Sequence, residues 1–231
     1  MKYKKIFFDL DHTLWDFDGN CNKTLNLIYE EFDLKNVGIN NVEEFKASYN
    51  KHNAIYWKRF RKGYVTRKDM KFKRMWHTLL DFKIGNEKLA HDLSFRYMNL
   101  LPQQAVLMPY TMDILNYCVE KNYRLSIITN GFESSQMEKM RVSNIGHYFE
   151  KIISSEKSNS RKPKKEIFDF ALQITNSKRE ECLMIGDSLE ADIIGAQQSG
   201  IDQVFYNPRL TQHTEKPTFE IKCLSELRDI F

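Results

Sequence analysis

At 231 residues the chain exceeds the commonest single-domain size of roughly 100–150 residues, so one large domain or a domain with an insertion is expected. Its 42% hydrophobic and 13% aromatic content suffices for a core, the net charge of +4 is mild, and no apolar run approaches the ~20 residues that span a bilayer. The start MKYKKIFFDLD places two aspartates where a signal peptide has small residues, and Cys21, Cys118, Cys182 and Cys223 are scattered without C-x-x-C spacing. That pattern argues for reduced thiols and a cytoplasmic protein, and against a disulfide frame or a zinc site.

In chain order, residues 4–9 read as a short buried strand. From about Asn20 to about Leu101 the period is helical: CNKTLNLIYEEF, VEEFKASYNKHNAIYWKRFRKG, TRKDMKFKRMWHTLLDF and NEKLAHDLSFRYMNLL make four helices. Breaks fall at Val37-Gly38-Ile39-Asn40, Gly63-Tyr64-Val65 and Gly85-Asn86, with N-caps expected at Asp18, Asn41, Thr66 and Asn86. After Pro102 helices alternate with strands: YTMDILNYCVEKN with RLSIITN, SSQMEKMRVSN with KIISS, KEIFDFALQIT with ECLMIGD, ADIIGAQQSG with DQVFY, then a short piece near FEIKCL. Apolar strands separated by such helices predict a parallel sheet with helices on both faces, residues 4–9 forming its central strand. The helical stretch is then an insertion, a four-helix lid over the sheet's carboxyl edge.

Charge is uneven inside the insertion. From Lys46 to Arg74 there are eleven Lys/Arg against one acid, Asp69. A solvated helical face is the plain reading; a funnel for anionic substrates is the sharper one, and a nucleic-acid surface lacks any accompanying motif. Tyr56, Trp57, Phe60, Tyr64 and Trp76 sit in the same region, where aromatics at helical spacing are more often core than base-stacking platforms.

Asp9 and Asp11 follow the apolar run Ile6-Phe7-Phe8. Strand alternation points both the same way, and two like charges aimed at one spot persist only with a cation, a lysine or a shared proton. The pair is therefore a candidate for metal binding or for nucleophile plus acid/base work. Two other predicted strands end in polar groups, Thr129-Asn130-Gly131 and Gly186-Asp187-Ser188. In an open parallel sheet ligands bind outside the carboxyl ends of the strands, so these residues are expected to converge. Each fragment alone has a plain reading: loop-capping carboxylates, ordinary turns, Asp192 as a helix-start charge, Lys162 as a solvated loop lysine. His12 should point away from the pair, and Asp16 and Asp18 should cap the first inserted helix.

Taken together, DLDHT (Asp9–Thr13), IITNG (Ile127–Gly131), RKP (Arg161–Pro163) and GDSLEAD (Gly186–Asp192) resemble the four ordered motifs of the haloacid dehalogenase-like hydrolases. The stretches FFDLDHTLWDFDGN, IITNGFESSQMEKM and KPKKEIFDFAL are most similar to that family's pyrimidine 5′-nucleotidase branch. The resemblance implies an α/β, Rossmann-like core at residues 1–15 and 99–231, with an all-α four-helix cap at 16–98. It implies Asp9 as nucleophile, Asp11 as acid and base, and Lys162 as the cation that orients Asp9. Thr129, Asn130 and Lys162 would hold the phosphoryl group; Asp9, Asp187 and the backbone carbonyl of Asp11 would hold Mg²⁺, an ion that suits oxygen donors beside a phosphate. Asp192 would steady Lys162 or the metal's surroundings, and Thr13 would brace the loop. Crowding with Asp9 should favour the protonated form of Asp11.

The expected activity is a Mg²⁺-dependent phosphomonoester hydrolase working through an aspartyl-phosphate, acting as a 5′-nucleotidase on pyrimidine nucleoside monophosphates. Alternatives are a sugar-phosphate or phosphoglycolate phosphatase and, from another class, a catalytically silent phospho-ligand binding module. A dehalogenase is disfavoured, because that branch carries no aspartate at the position of Asp11. The expected partner is a small phosphorylated substrate, with no nucleic-acid polymer and no membrane, and the protein should be a monomer or homodimer.

Overall fold

The structure is a computed structural model describing residues 2–231. Strand β1 (Lys5–Phe8) is followed by α1 (Phe17–Glu31), the single turn α2 (Leu34–Val37), α3 (Val42–Arg61), α4 (Arg67–Asp81) and α5 (Glu87–Leu100). The chain continues through α6 (Thr111–Glu120), β2 (Arg124–Thr129), α7 (Glu133–Val142), β3 (Phe149–Ser154), α8 (Lys165–Thr175), β4 (Cys182–Gly186), α9 (Gly195–Gln198), β5 (Asp202–Tyr206) and β6 (Phe219–Ile221). Contacts divide it into two units: the chain up to Phe17 with Ala105–Phe231, and Asp18–Gln104. Among the described residues no helix is long and apolar enough to cross a membrane.

The first unit is built on a six-stranded parallel sheet in the order β3-β2-β1-β4-β5-β6. With β2 on one side of β1 and β4 on the other, Phe8 aligns with both Ile127 and Ile185. The three strands that carry the motifs thus end level, and their polar residues emerge at one edge. One sheet face, through Phe7, Ile128, Ile153 and Met184, is closed by Ile167, Phe168 and Ala171 of α8 and Ala196 of α9. The expected helix over ADIIGAQQSG differs in form: Leu189–Ile194 is a wider π-helical turn that tightens into α9. Such a turn presents side chains out of step with an α-helix, and such turns recur at functional sites.

The second unit is all-helical. Asn41, Thr66 and Asn86 cap α3, α4 and α5, accepting from the backbone N–H groups of Glu43, Asp69 and Leu89 at 2.8, 3.1 and 3.0 Å. Asp18 does not cap α1, because the helix already starts at Phe17 and leaves Asp18 in its first turn. The extra turn α2 is bounded by Asp33 and Gly38, both at positive φ. The basic run is not one uniform solvated face. Lys46 pairs with Glu43, Lys51 with Asp81 and Lys73 with Asp69, while Arg74 is buried between the Tyr49 and Tyr97 rings and donates to Asn53. Of the aromatics singled out, Tyr56 and Phe60 are buried, Trp57 and Trp76 half-buried, and Tyr64 exposed.

Candidate active site

Asp9 is the first residue beyond β1, and its backbone N–H still reaches Ile185 O of β4 at 2.9 Å. Its carboxylate accepts at Oδ1 from Lys162 Nζ at 2.6 Å. That ammonium uses its other two protons on Asp192 Oδ1 at 2.6 Å and on the Ile128 carbonyl at 2.7 Å. All three donors of a fully buried lysine are therefore satisfied, which is the condition for keeping such a charge out of water. Asn130 holds the lysine's backbone by a reciprocal pair, Lys162 N donating to its Oδ1 at 2.8 Å and its Nδ2 donating to Lys162 O at 2.9 Å. Asp192, delivered by the π-helical turn, accepts from Ser188 N at 3.0 Å with its second oxygen. Gly186 makes room for it, since a Cβ there would overlap the Asp192 carboxylate. Thr13 ties the first loop to the loop after β4, donating to Asp187 Oδ1 at 3.2 Å and accepting from Asp187 N at 3.1 Å.

Asp11 departs from the sequence expectation. The strand stops at Phe8, His12 has φ of 63°, and the segment turns back so that Asp11 bridges Trp15. Strand alternation no longer governs the pair, and the two carboxylates face different lysines. Lys139 Nζ of α7 meets Asp11 Oδ1 at 2.6 Å, and Gln136 Nε2 donates to Asp11 Oδ2 at 3.0 Å. The same Gln136 Nε2 donates to Thr129 Oγ1 at 2.8 Å, and Gly131 N donates to that oxygen at 3.0 Å. Thr129 keeps its hydroxyl proton to donate. The His12 ring lies against Phe17, with centroids 4.8 Å apart.

Gln136 and Lys139 escaped sequence reasoning. The one available signal was negative: ESSQMEKMRV has no apolar stripe, so a helix placed beside a sheet must bury polar groups.

Burial, reinforced by Asp192 and Asp11, pushes Asp9 up to about 7 against the pull of Lys162. Burial and Asp9 likewise raise Asp187 to about 6, and burial raises Asp192. Burial opposes the charge on Lys162, but Asp192 and Asp9 outweigh it and hold the ammonium protonated. Three carboxylates against one buried cation leave an excess of negative charge. Oxygens of Asp9, Asp187 and Asp192 lie within 4.8 Å of one another. Both Asp192 oxygens are occupied, whereas Asp9 Oδ2 and Asp187 Oδ2 have no protein donor among the described residues. A hard, oxygen-only donor set with surplus negative charge fits a divalent cation such as Mg²⁺.

Residues 3–200 match the model of the haloacid dehalogenase-like hydrolases. The chain belongs to that family. It is 33% identical to pyrimidine 5′-nucleotidase PynA of Streptococcus pneumoniae, over 99% of this chain and 95% of that protein. Pyrimidine 5′-nucleotidase YjjG of Escherichia coli is 28% identical, over 100% of this chain and 98% of its own length. Among solved structures, HAD-hydrolase YfnB of Bacillus subtilis, bound to magnesium, superposes with a TM-score of 0.88 at 31% identity, covering 100% of this chain and 99% of that one. With such relatives, this haloacid dehalogenase-like protein is a phosphoric monoester hydrolase.

Proposed function

We propose that the protein removes the 5′-phosphate of pyrimidine nucleoside monophosphates through an aspartyl-phosphate on Asp9. The observation that carries the chemistry is the buried Asp9 carboxylate, one oxygen fixed on Lys162 and the other without a protein donor among the described residues. The nucleotide preference is supported by the likeness to PynA and YjjG.

In the first half-reaction the second oxygen of Asp9 attacks phosphorus, the P–O bond to the nucleoside breaks, and Asp11 gives its proton to the departing 5′-oxygen. The Thr129 hydroxyl and the backbone N–H of Asn130 donate to the phosphoryl oxygens, and Lys162 offsets the charge that gathers there. In the second half-reaction Asp11, now a carboxylate, takes a proton from water. The water oxygen bonds to phosphorus, the Asp9–phosphorus bond breaks, and phosphate leaves. Mg²⁺ held by the Asp9 and Asp187 carboxylates and the Asp11 carbonyl would supply positive charge to the phosphate. Asp192 and Thr13 act behind these groups, on Lys162 and Asp187. Choice among monoesters is assigned to the helical insertion at 16–98, acting as a cap, on the strength of its basic and aromatic residues. A reducing, cytoplasmic setting is part of the same reading, supported by four free thiols.

Comparing kcat/KM for UMP, dUMP and dTMP with sugar phosphates and glycolate phosphate tests the substrate. The nucleotides should lead, and Asp9→Asn should abolish Mg²⁺-dependent turnover of all of them. Sugar phosphates ahead of the nucleotides would overturn the nucleotidase reading and leave the hydrolase. Absence of turnover with every phosphate would turn the reading toward a silent binding module.

A further inference from the structure

We propose that Lys139 is a positioning residue for Asp11, fixing the orientation in which that carboxyl serves the leaving oxygen; the inference rests on the role given to Asp11 above. Burying an ammonium and an amide on the inner side of a helix is costly unless both are tightly partnered. Yet Gln136 and Lys139 are, with Met140, the buried residues of α7. Lys139 is 3% exposed, and besides its 2.6 Å contact with Asp11 its Nζ lies over the rings of Trp15 at 4.4 Å and Phe17 at 5.7 Å. Packing of this kind gives the ammonium little freedom to follow a moving partner.

Gln136 acts with it. Its Nε2 reaches Asp11 Oδ2 and Thr129 Oγ1 together, while its Oε1 is buried with no hydrogen-bond partner among the described residues. Reversing the amide would set Oε1 against the Asp11 carboxylate, so the two acceptors decide its orientation. Gly131 is constrained by the same arrangement, since a Cβ there would overlap the Gln136 side chain. One helix thus sets the register of the proton donor and of the phosphate-binding hydroxyl. Each Asp11 oxygen receives one bond from this pair, and a carboxylate offers about four lone-pair sites. Capacity remains for the leaving oxygen without breaking either contact.

The test separates positioning from simple structural support through the leaving group. A nitrophenolate departs unprotonated, whereas an alkoxide needs the proton of Asp11. Lys139→Met should lower kcat/KM for the best alkyl monophosphate of the panel by about tenfold or more, and for p-nitrophenyl phosphate by less than about threefold, the size of effect that general acid catalysis and its supporting contacts allow. Lys139→Arg, which keeps a cation, should bring the ratio of the two losses back toward that of the wild type. If Lys139→Met does not fold, Lys139→Gln is read by the same ratio. Equal losses on both substrates, no loss, or a gain on the alkyl phosphate would overturn the assignment. A wild type that hydrolyses neither compound overturns the hydrolase reading first, and this inference with it.

Discussion

Two aspartates one residue apart are given different surroundings by two lysines from different elements, Lys162 in the loop before α8 and Lys139 on α7. Small residues allow those surroundings to close. Gly186→Ala would push a methyl group into the Asp192 carboxylate, which already carries Lys162 and the Ser188 N–H, so the strain reaches Asp9 through the lysine. The expected cost is about 1–3 kcal/mol in urea unfolding, together with a loss of kcat, as overpacking at a close contact produces. Wild-type stability and turnover in this variant would show that Asp192 has room to move. At this scale the sequence was half legible. The acids, Thr129 and Lys162 stand out because a strand-end carboxylate or a lysine beside proline is identifiable by position. Gln136 and Lys139 do not, because their burial depends on the helix lying against the sheet, and SSQMEKM carries the composition of a solvated helix.

Among the elements, α3 and α4 are joined by a polar contact at the end of α4. Asp81 accepts from Ser48 at 2.9 Å, His52 at 2.9 Å and Lys51 at 3.2 Å, and these bonds outweigh its slight burial and hold its carboxyl at about 2, below the ordinary 3.8. A depressed folded-state pKa contributes stability that is fully present above the unfolded value and is lost as pH falls through the folded one. The stability gap between wild type and Asp81→Asn should therefore be constant at neutral pH and narrow between about pH 4 and pH 2. Solvent screening of this exposed site keeps it modest. Urea midpoints across that range provide the check, and a gap that does not narrow would dissociate Asp81 from the acid response. Caps at Asn41, Thr66 and Asn86 were readable because the capping bond is local. The π-helical turn was not, since nothing in LEADII distinguishes it from an α-helical turn; the tertiary requirement to bring Asp192 onto Lys162 and beside Gly186 accompanies it.

Across the molecule, the alternation of periods predicted the parallel sheet and its central β1, since the 2.0 and 3.6 repeats follow from side-chain geometry alone. Electrostatic balance was less accessible, because it depends on which charges are buried together. With Asp9, Asp187 and Asp192 clustered around one lysine, a divalent cation should stabilise the folded protein. The expected gain is about 1–3 kcal/mol at ten to a hundred times the Kd, read as a rise in Tm on adding Mg²⁺. Asp187→Asn should lose most of that rise while being no less stable than the wild type without metal. A full Mg²⁺ response in the variant would remove Asp187 from the ligand set.

The placement of β1 between β2 and β4 has a consequence for how the chain acquires its site. Both neighbours follow the helical insertion, and the Thr13–Asp187 and Asp9–Lys162 bonds join residues 174 and 153 apart. Contacts of such long sequence separation are closed late, at the expense of a large loop entropy. During synthesis β1 therefore waits for both of its neighbours, which lie later in the chain. A truncated or nascent chain ending before Gly186 displays Asp9 without Asp187 and Asp192, so the assembled centre also reports that the chain through Asp192 has arrived.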